Sequence, residues 1–256
     1  MRAFTLAHGP VVRALEIPGR GPPIVFVHGL GCASTVDYPA VLASPALAGR
    51  HAVLLDLLGH GHSERPDDAV YTIAAHARVV VEVVVALGAP EVALFGHSMG
   101  GAVAIEAAAQ LGPAVVGLVL SEPNLEPGGG LYSRAIAAIS EARYVALGHA
   151  HLAHQARLGG NGAWADTLRL ASARAVHHSA VSLIAGSSPS WFAQLQALTL
   201  PRAVLFGELS LPDADHQRLP AAGVRVDVVP GAGHSMAHEA PEALAACVAR
   251  ALEAAP

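Results

Sequence analysis

Residues 92–111 read VALFGHSMGGAVAIEAAAQL, and three pieces of that stretch decide the fold. Residues 92–95 form a short apolar run of the kind that fills a buried parallel strand. Residues 99–111 read as a helix. Between them, Gly96-His97-Ser98-Met99-Gly100 makes a strand-to-helix turn so tight that small residues must flank Ser98. Such a turn pushes the Ser98 hydroxyl into the open and points the positive end of the helix at it. Gly and Ser are common turn residues, so the five letters alone say little. Their place between strand and helix is what makes Ser98 a candidate nucleophile.

Working outward, further short apolar runs at 4–6, 11–17, 24–27, 52–55, 115–120, 203–206 and 224–229 read as strands, with His8-Gly9-Pro10 turning between the first two. Helical stretches at 35–48, 72–87 and 241–254 lie between or after them. Strands alternating with helices predict an α/β fold: a mostly parallel eight-stranded sheet with helices on both faces. Residues 123–199 break the alternation, holding no convincing strand but a helical pattern punctuated by Gly128–Gly130, Gly159-Gly160 and Ser187-Ser188-Pro189. An insertion of that length in a compact domain is usually functional. It predicts a helical cap over the carboxyl edge of the sheet, where open α/β sheets bind ligands, with residues 1–122 and 200–256 as the core.

Composition narrows the function. Hydrophobic residues make up 53% of the 256 and charged residues 14%, a globular balance. All fifteen basic residues are arginine, none clustered into a stripe, and the net charge is -5, which argues against nucleic-acid binding. No apolar run reaches a membrane span, and residues 1–19 lack the apolar core of a signal peptide, so the expectation is a cytoplasmic protein without membrane contact. Cys32 and Cys247 match no metal or redox spacing and read as reduced, mostly buried thiols.

With the elbow in place, the chain resembles the α/β-hydrolase family, in particular serine-nucleophile esterases and lactonases with a helical cap, and three more segments agree. His28-Gly29-Leu30-Gly31 follows the third strand, where family members supply an oxyanion-hole amide. The resemblance implies that the Leu30 and Met99 N–H groups face the developing oxyanion and that His28 holds the loop. Asp56-Leu57-Leu58-Gly59-His60-Gly61-His62-Ser63 resembles the structural D-x-x-G-x-G-x-S turn of the family, so Asp56 is not expected to be the catalytic acid. Gly231-Ala232-Gly233-His234-Ser235 follows the last strand and resembles the loop that carries the catalytic His. His97 is expected to pack behind Ser98.

The acid has two candidate places. Most of the family carries an Asp in a G-x-x-D stretch after the seventh strand, but here that stretch reads Gly207-Glu208-Leu209-Ser210, with Asp213 and Asp215 further on. After Pro212 those two suit a helix N-terminus, where carboxylates are favoured anyway. Glu122, at the end of the sixth strand, stands where a minority of the family places its acid, and it is the preferred candidate. A carboxylate at a buried strand tip needs a partner, and a hydrogen bond from His234 would supply one.

In the cap, Trp191 is expected to line the substrate pocket, with Tyr132, Trp164 and Phe192 as the other large aromatics. His149, His151 and His154 lack a neighbouring carboxylate or Cys, so no metal site is expected there, and the chemistry needs no cofactor. The resemblance implies a small, mainly apolar ester or lactone as substrate. Carbon–carbon bond hydrolysis or peracid formation on the same site, and a non-catalytic ligand receptor, are the competing functions. Ser rather than Asp at 98 argues against dehalogenase and epoxide-hydrolase chemistry.

Overall fold

The computed structural model describes residues 1–253. Eight strands form one sheet: β1 (Arg2–Thr5), β2 (Val11–Ile17), β3 (Arg20–Val27), β4 (Arg50–Asp56), β5 (Val92–His97), β6 (Val115–Ser121), β7 (Arg202–Gly207) and β8 (Arg225–Val229). Their order across the sheet is β1-β2-β4-β3-β5-β6-β7-β8. β1 and β2, and β2 and β4, run antiparallel; every other neighbouring pair is parallel. The parallel strands are apolar on both faces, with Ile24 to Val27 and Ala52 to Leu55 fully buried, because helices cover both sides.

α1 (Ser34–Asp37), α2 (Pro39–Leu42), α3 (Ile73–Leu87) and α4 (Met99–Leu111) connect the first strands. The segment between β6 and β7 holds only helices and loops among the described residues: α5 (Leu131–Ala137), α6 (Glu141–Arg143), a π-helical turn at Tyr144–Gly148, α7 (His149–Leu158), α8 (Gly162–Arg169), α9 (Ala173–Ala185) and α10 (Trp191–Ala197). α11 (Ala214–Arg218), α12 (Met236–Glu239) and α13 (Pro241–Glu253) complete the fold. The expected helix over 241–254 is present, with Ala254 outside the described residues.

One expectation is corrected. Residues 35–48 do not form a single helix but break into α1, α2 and a 3-10 turn at Pro45–Leu47. Pro39 and Pro45 each open a new segment, since proline offers no N–H to the turn before it, and ahead of Pro45 the chain at Ser44 is extended. Among the described residues, no helix is long and apolar enough to cross a membrane.

The fold positions the candidate site through its parallel register. His28, Ser98, Glu122 and His234 follow β3, β5, β6 and β8, so all four lie at one carboxyl edge.

Candidate active site

At the end of β5 the chain turns through Ser98 with φ 53° and ψ -117° and enters α4 at Met99. Among the described residues, Ser98 and Glu122 (φ 39°) are the non-glycine positions with positive φ. Such strain persists where the surroundings over-determine it. At Ser98 the flanking glycines do this: a Cβ at Gly96 would strike the Gly100 carbonyl, and one at Gly100 would strike the carbonyls of Val27 and His28. The Ser98 N–H donates to the Ser121 carbonyl at 2.9 Å, and the Ser98 carbonyl accepts from Gly101 N–H at 2.9 Å and Asn124 N–H at 3.2 Å.

Glu122 extends the ladder beyond β6, its N–H donating to Leu205 carbonyl at 3.0 Å. Its Oε1 accepts the Gly207 N–H at 2.9 Å, and its Oε2 lies 2.5 Å from Nδ1 of His234. Burial pushes this carboxyl pKa up, but the His234 hydrogen bond and charge, the Gly207 N–H and the Ser210 side chain outweigh it, and the net shift is downward. Glu122 is therefore held as the anion, and the remaining His234 nitrogen, Nε2, is free of it.

The His234 loop is pinned on both sides. Gly231 N–H donates to Glu208 Oε2 at 2.8 Å, Gly233 N–H to Glu239 Oε2 at 2.6 Å, and Leu209 N–H to the Ala232 carbonyl at 2.8 Å. Gly207 must be glycine, because a Cβ there would strike the Ala232 and Gly233 carbonyls. The alternative acids are engaged elsewhere. Asp213 caps α11, accepting from the N–H groups of Asp215 (2.7 Å) and His216 (3.3 Å), and Asp215 binds Arg218 Nε at 2.6 Å. Asp56 is fully buried and ties Thr35 and His62 to its strand end, a structural part.

The loop after β3 is held from below and above. His28 donates through Nδ1 to the Gly29 carbonyl at 2.8 Å and accepts the Leu57 N–H on Nε2 at 3.0 Å, so it is neutral; burial lowers its pKa. From above, Trp164 Nε1 on α8 donates to the Leu30 carbonyl at 2.8 Å. Gly31 turns with φ 70°, and a side chain there would strike Leu168 of the same helix. His97 packs beside the site with its ring 4.7 Å from that of His234. Burial and the neighbouring His234 push its pKa down to about 3, so His97 is neutral at ordinary pH.

Ser98, His97, His234 and Leu30 open onto one cavity of about 710 Å³, its solvent mouth included. Tyr132 and Trp164 roof it from the helical insertion, with ring centroids 4.3 Å apart. Trp191 does not line this cavity. It is fully buried in α10, and its indole N–H donates to Glu106 Oε1 on α4 at 2.8 Å, so the expectation for Trp191 is corrected: it anchors the insertion to the core. Trp164 is the tryptophan at the site. The sequence reading missed three polar residues that also line the cavity: Asp37, Tyr38 and His238.

The three histidines of the 149–154 segment hold no cluster. His149 bonds the Leu168 carbonyl at 2.9 Å and Tyr144 hydroxyl at 3.1 Å. Among the described residues, Glu141, His177 and His178 bring ligand-type atoms within 4.8 Å of one another. There, however, Glu141 is already paired with His178 at 3.0 Å and with Arg174 at 3.2 Å.

The alpha/beta hydrolase family model matches residues 24–247, and the chain belongs to that family. Similar solved structures include a thermophilic esterase from Thermogutta terrifontis, with TM-score 0.81, 22% identity and coverage of 98% of this chain and 97% of that one. An N-acyl homoserine lactonase complexed with N-hexanoyl homoserine superposes with TM-score 0.79 at 21% identity, over 99% and 96% of the two chains. Among curated relatives, the 2-hydroxymuconate semialdehyde hydrolase of Pseudomonas sp. (strain CF600) is 37% identical over 107 residues, 41% of this chain and 38% of that protein. The matches to these curated relatives span only about a third to two fifths of those proteins' length, from 33% to 42%.

Proposed function

We propose that this chain is a serine hydrolase that cleaves carboxylic esters or lactones through an acyl-enzyme. The observation that carries the reading is the 2.5 Å contact between Glu122 Oε2 and His234 Nδ1, at the mouth of the cavity that Ser98 lines. A serine hydroxyl is a weak nucleophile until a neighbouring base takes its proton. His234 Nε2 accepts that proton as the Ser98 Oγ–carbon bond forms and the carbonyl π electrons move onto oxygen. The N–H groups of Leu30 and Met99 stabilise the oxyanion. On collapse, the carbon–oxygen bond to the alcohol breaks and His234 returns the proton to the leaving oxygen. Water then repeats the sequence, freeing the acid and Ser98. Glu122 fixes the His234 tautomer and stabilises the imidazolium. The helices of residues 123–199 act as a cap that shapes the substrate cavity, and no cofactor enters the steps.

The solved esterase and lactonase that share the fold support an acyl substrate. The second reading, carbon–carbon bond hydrolysis on the same residues, draws on the likeness to 2-hydroxymuconate semialdehyde hydrolase. It differs in that the proton from His234 must go to a carbon leaving group. A panel of p-nitrophenyl esters of rising chain length, run beside lactones, tests the primary reading. Turnover of one class that vanishes in a folded Ser98→Ala protein is the expected result; ester turnover that survives in Ser98→Ala contradicts it.

A further inference from the structure

His97 stands directly before Ser98 and is the last residue of β5 in register with β6, where it faces Ser121. Its Nδ1 lies 3.2 Å from the Ser121 carbonyl oxygen and 3.2 Å from Ser121 Oγ. A carbonyl can only accept, so Nδ1 carries the ring proton and shares it between the two oxygens. The Ser121 hydroxyl donates in the other direction, to Sδ of Met236, two residues past His234, at 3.4 Å. The same Ser121 carbonyl also accepts the Ser98 N–H at 2.9 Å. Both donors therefore hold the peptide that joins Ser121 to Glu122, and Glu122 is the residue at φ 39°. The His97 ring is confined as well: its centroid is 4.7 Å from that of His234, and a side chain at Gly29 would come to 3.1 Å from its Cδ2.

We propose that His97 is a positioning residue: its Nδ1–H, held by Ser121, locks the strained corner at Glu122 and with it the alignment of Glu122 and His234 on Ser98. This rests on the serine-hydrolase reading and adds to it a residue that acts through the others. Three observations carry it. First, His97, Ser121 and Met236, which lie within two residues of Ser98, Glu122 and His234, form one hydrogen-bonded set, so the three segments cannot shift independently. Ser121 and Met236 are each 1% exposed, so their bond is made away from solvent. Second, a non-glycine residue stays at positive φ only where its neighbours over-determine it, and the doubly held Ser121 carbonyl is the restraint next to Glu122. Third, the ring stays neutral, because burial and His234 push its pKa down to about 3. The Nδ1–H donor is therefore present at any working pH, and no second positive charge meets the imidazolium that forms on His234.

The test is a pair of substitutions at His97. His97→Phe keeps a ring beside His234 and removes the donor, while His97→Asn removes the ring and puts an amide N–H close to the place of Nδ1. On the ester or lactone that the native protein turns over best, His97→Phe should lower kcat by about tenfold to a hundredfold with KM within about twofold, the scale of a small misplacement. His97→Asn should bring kcat back to within about threefold of native, because the bond to Ser121 is restored. Ser121→Ala, a smaller change in a buried place, should lower kcat by about threefold at constant KM. It decides the matter if His97→Phe does not fold, since native kcat in Ser121→Ala contradicts the proposal. Crystal structures read the same alignment without turnover: the Glu122 Oε2–His234 Nδ1 contact should hold in the native protein and lengthen by roughly 0.5–1 Å in His97→Phe. An inactive native protein would count against the Ser98 chemistry, and the contact lengths would still decide the role of His97. Native kcat in His97→Phe, a rise in KM at constant kcat, His97→Asn as impaired as His97→Phe, or an unchanged Glu122–His234 contact in His97→Phe overturns the proposal.

Discussion

Glu122 is the residue on which the proposed chemistry turns. It sits in backbone strain at φ 39°, and its two carboxylate oxygens are divided between Gly207 N–H and His234. Ser210 stands where the resemblance would put an Asp, and its side chain is among the groups that lower the Glu122 pKa. Glu122→Gln should leave the fold intact and lower kcat by about 10³–10⁴-fold, because an amide can hold His234 in the wrong tautomer. Asp213→Asn and Asp215→Asn should lower activity by less than about twofold and cost at most helix-terminus stability of ~1 kcal/mol. Steady-state kinetics on the three variants decides the matter. If either Asp variant is inactive while Glu122→Gln retains native kcat, the acid lies after β7.

At the scale of elements, α8 is joined to the loop after β3. Trp164 donates to the Leu30 carbonyl, and Leu168 packs over Gly31. Trp164→Phe keeps an aromatic ring against Tyr132 but removes the N–H. If Leu30 supplies an oxyanion donor, kcat should fall by roughly tenfold with KM little changed, since the interaction lost is one that holds a transition-state contact in place. A rise in KM with kcat intact would make Trp164 a substrate contact only. The elements themselves were largely legible in the sequence. Buried parallel strands are continuous apolar runs, and the elbow, the His234 loop and Glu122 each stand at the end of one. Two things were misread. Pro39 and Pro45 broke an expected helix, a signal present in the sequence. Trp191 and Trp164 could not be ranked from composition, because which face of a short helix meets the cavity depends on how α8 and α10 are docked. The Asp37–His238 contact joins residues 201 apart in the chain, which only the sheet order brings together.

Across the whole molecule, a file of buried histidines runs from the site into the helical insertion. Ring centroids of His28 and His60 are 5.0 Å apart and those of His60 and His76 5.9 Å, and His76 Nε2 meets Ser179 Oγ on α9 at 3.0 Å. Burial lowers all three pKa values, that of His76 to about 3, and the neighbouring imidazoles add to the effect at His60 and His76. The folded protein keeps these rings neutral while the unfolded chain takes up protons below its ordinary value of 6.5. The contribution of His76 to stability is therefore complete above about pH 6.5 and is lost as the pH falls toward 3, at about 1.4 kcal/mol per pH unit, and His28 and His60 act in the same direction. Thermal melts should show Tm lower by about 4 °C or more at pH 5 than at pH 7.5, and a Tm that does not fall would show that His76 is not buried neutral. The hydrolase family, the sheet and the cavity together lead back to Ser98, and the most direct measurement is covalent. Incubation with a fluorophosphonate, followed by intact mass and peptide mapping, should give one adduct, located on Ser98, absent from Ser98→Ala and formed far more slowly in His234→Ala. A folded native protein that takes no adduct, or takes it at another residue, would contradict the assignment of Ser98 as the nucleophile.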